Sequence, residues 1–152
     1  MERALELARR FEGWSAKPYR CPAGIWTIGY GRCCEKDHPP ITRELGEAYL
    51  REDMEKAARI ALKYAPELRD GPECRIEALA SFVYNVGEAN FAGSTLLKKV
   101  RDRDWTGAAG EFARWNKATV NGEKRVLPGL IKRRRAEAEL FMSREADESA
   151  PF

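Results

Sequence analysis

Three residues of different chemistry sit at short, fixed spacing near the start of this chain: Glu12, Cys21 and Thr27. Glu12 follows an apolar helical run and precedes Gly13 and Trp14. A carboxyl placed against apolar rings loses solvation, which favours the protonated form that a general acid needs. A glutamate at a helix end is more often simply solvated, so Glu12 alone decides nothing. Cys21 can supply a negative charge or a nucleophile as its thiolate, and Arg20 beside it favours the charged form; as a thiol it is a small neutral side chain. The Thr27 hydroxyl donates one hydrogen bond and accepts others, which suits the positioning of a water. The only histidine, His38, stands beside Pro39 and Pro40 and reads as a loop residue.

The elements that must position these residues follow from periodicity. Glu2 to Phe11 carries Leu5, Ala8 and Phe11 at helical spacing, and Gly13 is a natural stop. Between residues 17 and 34, Pro18, Pro22, Gly24, Gly29 and Gly31 exclude a helix. Tyr19, Ile25, Trp26, Thr27, Ile28 and Tyr30 favour strands, and Pro22-Ala23-Gly24 marks a turn, so a small antiparallel hairpin or meander is expected. Thr42 caps a long helix striped by Leu50, Met54, Ala57, Ala61 and Tyr64, ended by Pro66. Pro72-Glu73 opens a very apolar helix that ends at Gly87. Shorter helices are expected at 94–101 and 105–115, a loop or tight turn around Asn121-Gly122, and a last helix from Leu130 to Met142 with Pro128 at its first turn. The tail from Glu145 is polar. The expected fold class is α+β and mainly helical. A small β-hairpin lobe at about 13–41 is joined by a linking helix at 43–65 to a helical lobe at about 73–142 that also takes the N-terminal helix, all within one domain over 1–152. The junction of the two lobes is the expected ligand cleft.

Composition bounds the rest. The chain has 152 residues, 43% hydrophobic and 34% charged, an ordinary globular mix that argues against disorder. No run approaches the roughly 18 apolar residues of a membrane span, and Met1 to Glu6 carries no apolar signal core. The net charge of +3 is mild. Its densest basic run, Lys132-Arg133-Arg134-Arg135, reads either as a face for an anionic polymer or as a solvated helix face. The four cysteines, Cys21, Cys33, Cys34 and Cys74, form no CxxC pair, so neither a metal site nor any cofactor is expected.

Read together, Glu12, Cys21 and Thr27 with Thr27-Ile28-Gly29-Tyr30-Gly31 resemble the pattern of the phage-type lysozymes, a glycoside hydrolase family that includes the lambdoid endolysins. Ala78 to Gly87 is similar to that family's central-helix segment, and Phe91 to Leu97 to the segment after it. Gly129 to Arg134, with Glu137 and Phe141, is similar to its C-terminal helix. The resemblance covers about residues 5 to 142. It implies hydrolysis of the β-1,4 bond between N-acetylmuramic acid and N-acetylglucosamine in bacterial peptidoglycan, for host cell lysis. Glu12 falls on the family's general acid and Thr27 on its water-positioning threonine; Tyr84, with Tyr30 and Asn85, falls on the substrate side of the cleft. The resemblance also implies a monomer without nucleic-acid partners, made in the host bacterial cytoplasm and acting in the periplasm or cell wall after release.

Two departures mark this chain. Cys21 stands where many relatives carry aspartate, and two-carboxylate schemes need a second acid there. Within the family such a cysteine is a known variation, and in some membrane-anchored members it is masked by a disulfide. Arg32 replaces a histidine after the Gly-x-Gly stretch, so an ion pair made there would not titrate near neutral pH. The missing aspartate keeps open a lytic transglycosylase, in which a sugar hydroxyl replaces water, and an inactive peptidoglycan-binding module. A nucleic-acid binder rests only on Lys132 to Arg135 and lacks any recognised motif.

Overall fold

The computed structural model describes the backbone of residues 1–148 and the side chains of residues 1–143. The fold is α+β and mainly helical. Helix α1 (Glu2–Phe11) buries Ala4, Leu5 and Ala8 and packs on α2 (Arg43–Tyr64), α3 (Glu73–Val86) and α7 (Pro128–Glu148). At its end Glu12 leaves helical geometry with φ −90° and ψ 138°. Its N–H still donates to the Ala8 carbonyl at 2.7 Å. Glu12 is therefore fastened to the helix by its backbone while its side chain is free to point elsewhere.

Strands β1 (Ser15–Arg20), β2 (Trp26–Gly29) and β3 (Arg32–Cys33) form one antiparallel sheet in that order. The turn after β1 is closed by Gly24 N–H on the Cys21 carbonyl at 2.8 Å, with Gly24 at φ +81°. That conformation suits glycine and explains the Pro-Ala-Gly signal. Helix α2 (Arg43–Tyr64) starts where Thr42 accepts a hydrogen bond from Leu45 N–H at 3.1 Å. Its 22 residues span about 33 Å at 1.5 Å per residue. Leu50, Met54, Ala57 and Ala61 are buried along the expected stripe, with Tyr64 half-buried at its end.

Helix α3 (Glu73–Val86) lies among α1, α2 and α7. Phe82 on α3 is fully buried and meets Phe91, Phe112 and Trp115 edge to face, at ring distances of 6.3, 5.6 and 5.5 Å. Around it run α4 (Glu88–Ala92), α5 (Thr95–Arg101), α6 (Trp105–Glu111) with a 3-10 turn at Phe112–Arg114, and α7 (Pro128–Glu148).

Three details differ from the sequence expectation. Helix α4 was not expected: Gly87, at φ +88°, ends α3 and the chain re-enters a helix at once. The expected turn at Asn121-Gly122 belongs to a full hairpin, β4 (Lys117–Val120) paired with β5 (Glu123–Val126). Asn121 and Gly122 take φ of +51° and +82°, the positive values that a two-residue hairpin turn demands. Every residue of β5 is exposed, so no apolar alternation advertises these strands. The last helix runs to Glu148 rather than Met142, and the remainder of the polar tail, 149–152, lies outside the described residues.

Candidate active site

The carboxylate of Glu12 is gripped on one side and closely covered on the other. Its Oε1 accepts a hydrogen bond from Arg133 Nη1 at 2.7 Å. A methyl group placed on Gly31 would lie only 2.7 Å from Oε2. Gly31 also has φ +96°, so both its backbone and its surroundings favour glycine. Glu12 keeps 21% of its side-chain surface exposed, whereas Arg133 keeps 2%. The acid thus faces solvent while the cation that holds it comes from inside the protein.

The sheet presents a matching face. Tyr19 pairs directly with Thr27, and Thr27 with Cys33, so these three side chains leave the sheet on the same side. Burial pushes the Tyr19 phenol up from its ordinary pKa, and the charges of Glu12 and Cys21 push it further. That phenol therefore stands within electrostatic reach of both groups. Cys21 lies just beyond β1, half-buried, with its N–H on the Ile25 carbonyl at 3.0 Å. Thr27 is 5% exposed and donates its hydroxyl hydrogen to the Ile25 carbonyl at 2.9 Å. With that hydrogen committed, the hydroxyl meets any further partner as an acceptor.

The three residues expected on the substrate side separate. Tyr84 on α3 is half-buried and donates to the Tyr30 carbonyl at 2.6 Å, tying the helical body to the end of β2. Burial raises its phenol well above the ordinary range, and the charges of Glu12 and Asp53 add to that. Asn85 is exposed, and its Oδ1 accepts from Arg134 Nη2. Tyr30 lies deeper than the other two: its ring is 6% exposed, packs 5.0 Å from Trp14, and its hydroxyl accepts from Arg43 at 3.0 Å.

The basic run needs a correction. Lys132 and Arg135 are exposed, but Arg133 and Arg134 are among the most buried side chains of the protein. Neither a polymer-binding nor a solvated face describes these two. The signal that could have revealed this is the step of four from Arg133 to Glu137 to Phe141, which aligns two charged residues with a fully buried ring. Arg20 also departs from expectation: its guanidinium lies over the Trp26 ring at 5.1 Å rather than serving Cys21. Arg32 stacks on Tyr49 at 4.0 Å and lies near Asp53 and Glu52 of α2, at 3.7 and 3.6 Å.

All four cysteines are free. The fold keeps Cys21 from the other three. Cys33 and Cys34 lie across β2 from it, Cys34 through its N–H on the Trp26 carbonyl. Two strand spacings of about 4.8 Å exceed the roughly 7 Å limit between bridged Cα atoms. Cys74 is buried in α3 with its thiol toward the Phe141 carbonyl at 3.7 Å. A masking disulfide to Cys21 is therefore incompatible with this fold. A depression of about 410 Å³ on the sheet side is lined by Arg32, Cys33, Cys34 and His38, and Glu12 takes no part in it.

A mainly helical body carrying a small antiparallel sheet is the architecture of a lysozyme-type glycosidase. The family model described as phage lysozyme matches residues 9–137, and the chain belongs to that family. An endolysin of Acyrthosiphon pisum secondary endosymbiont phage 1 is 44% identical over 144 residues, covering 93% of this chain and 97% of that protein. A SAR-endolysin of Enterobacteria phage P21 is 36% identical over 135 residues, covering 86% of this chain and 77% of that protein. Among solved structures, an endolysin from Escherichia coli O157:H7 phage FAHEc1 superposes with a TM-score of 0.79 at 33% identity, over 100% of this chain and 96% of that one. The muramidase domain of SpmX from Asticaccaulis excentricus gives 0.80 at 31% identity, over 93% and 96%.

Proposed function

We propose that this peptidoglycan-acting muramidase of the endolysin class cleaves the β-1,4 bond between N-acetylmuramic acid and N-acetylglucosamine, with Glu12 as general acid. The observation that carries the reading is the Arg133–Glu12 contact, with Glu12 and Cys21 both within electrostatic reach of Tyr19, the strand neighbour of Thr27. Glu12 gives its proton to the glycosidic oxygen as the C1–O bond breaks, and positive charge develops on the sugar ring. The resulting carboxylate is held in place by Arg133. Thr27 accepts a hydrogen bond from the attacking water, which turns the water's lone pair toward C1. Cys21 stands where an aspartate stands elsewhere and, as its thiolate, takes the proton that the water gives up as its oxygen bonds to C1. The substrate lies between the sheet face and the helical body, with Tyr84 and Asn85 on the helical side. The enzyme works as a monomer on the cell wall after release from the lysing host's cytoplasm.

The test is clearing of purified peptidoglycan by four proteins: wild type, Glu12→Gln, Cys21→Ser and Cys21→Asp. Glu12→Gln is expected to lose about a hundredfold or more of the turnover while keeping the fold. Retained turnover would remove Glu12 from its role. Cys21→Asp is expected to stay active and Cys21→Ser to lose most activity; equal activity of the two would make Cys21 a spacer. The missing second carboxylate also fits a lytic transglycosylase, and 1,6-anhydro ends in the digest would replace the hydrolase reading with that one.

A further inference from the structure

Behind Glu12, Arg133 opens into a buried charged cluster whose other members, Ser81, Arg134 and Glu137, the catalytic scheme above does not use. Arg133 makes contacts in three directions. Nη1 reaches Glu12 at 2.7 Å, Nε reaches Glu137 Oε2 at 3.3 Å, and Nη2 reaches the carbonyl and hydroxyl of Ser81 at 3.2 and 3.4 Å. Ser81 donates its hydroxyl to the same Glu137 oxygen at 2.6 Å. Arg134 Nη1 lies 3.2 Å from Glu137 Oε1, off hydrogen-bond geometry, while its guanidinium stacks over Phe82 at 5.0 Å. Ser81, Arg134 and Glu137 have no exposed surface. Burial drives Arg134 down to about 10 and pushes the Glu137 carboxyl up, while the two guanidiniums and the Ser81 hydroxyl pull Glu137 back.

Counting charges shows what this cluster does. With Glu12 ionised, two arginines face two carboxylates and the group is neutral. With Glu12 protonated, as a general acid must be, the only remaining carboxylate is Glu137. A guanidinium with no other counter-ion would hold Glu12 ionised and take it out of the acid's working form. Glu137 gives Arg133 a second anionic partner, at the far end of its guanidinium.

We infer that Glu137, fixed by Ser81, is a positioning residue for the catalytic acid: it shares Arg133 with Glu12, and so limits how strongly that guanidinium favours the ionised form of Glu12. This inference rests on Glu12 being the acid. The other groups around Glu12 are Tyr19 from β1, Cys21 from the turn after it, Tyr84 from α3 and Arg134 from α7, and of these only Arg134 also touches Glu137. Ser81 touches Arg133 and Glu137 but not Arg134, so Ser81→Ala separates the Arg133 route from the Arg134 one.

The experiment is the pH profile of kcat/KM on purified peptidoglycan for wild type and Glu137→Gln, with Glu12→Gln as control. Glu137→Gln is expected to move the alkaline limb to lower pH by about one pH unit or more, with the acid limb and KM little changed. A uniform loss of activity with the limb unmoved would overturn the inference and leave a purely structural role. If Glu137→Gln does not fold by circular dichroism, Ser81→Ala decides. It is expected to move the same limb the same way by less, with Ser81→Thr restoring it; an unmoved limb in Ser81→Ala overturns the inference equally. Turnover retained by Glu12→Gln would instead refute the assignment of the acid, so the two failures read differently.

Discussion

The helical body and the three-stranded sheet hold the two sides of the site by different means. The body has a large continuous core in which Phe82, Phe91, Phe112 and Phe141 are all fully buried. The sheet has strands of six, four and two residues, and its fully buried Ile28 lies outside that core. Glu12 belongs to the first region through α1 and Arg133; Thr27 and Cys21 belong to the second. Glu12 is thus set by dense packing, and Thr27 and Cys21 by a thin sheet tied down at a few points such as the Tyr84–Tyr30 hydrogen bond. A rigid acid opposite a lightly held partner places the precision of the site on the body and its adaptability on the sheet.

Substitutions can break or sharpen that contrast. The largest effect is expected from Phe82→Ala, which removes the ring at the centre of three edge-to-face contacts and costs about 3–5 kcal/mol. Chemical denaturation should show a single transition moved to lower denaturant. A second, separate transition would mean that the two regions unfold independently.

A smaller effect belongs to Glu77, the other carboxylate fixed inside the body. Burial works against its charge, but hydrogen bonds from the N-terminal amine and Arg3 more than offset this and hold it below the usual carboxylate range. A carboxyl depressed in the folded state stabilises above its unfolded pKa and loses that contribution as pH falls through the folded value. Glu77→Gln should therefore cost about 1–3 kcal/mol at pH 7. The gap to wild type should close below about pH 4. A gap that stayed constant from pH 7 to pH 3 in thermal melts would contradict this.

The smallest global effect is expected from Ile28→Val, about 0.5–1.5 kcal/mol. It should be local. Amide exchange should quicken in β2 and β3 while α3 is unchanged, and activity should fall more than stability. Equal acceleration in α3 would show that the sheet shares the body's core after all.

What could be read from the sequence follows the same division. The helices were legible because their apolar stripes repeat at helical spacing, and Thr42, Gly87 and Pro128 marked ends correctly. Glu12, Cys21 and Thr27 stood out as a spaced set only through the family resemblance, since a glutamate at a helix end is by itself most often solvated. Arg133, Ser81 and Glu137 were hidden. A run of four basic residues suggests water, and only the third dimension shows that α3 covers two of them with an acid between. The β4–β5 hairpin was hidden for the opposite reason: its strands bury almost nothing, so only the Asn121-Gly122 turn gave a signal.

The middle strand of the sheet has one more consequence. By standing between Cys21 and Cys33 it forbids the intramolecular bond, yet it leaves Cys33 on the surface. A disulfide between that thiol and Cys21 is then a meeting of two molecules, governed by how many there are rather than how each is folded. Dilution protects the enzyme, and crowding in a storage tube threatens it.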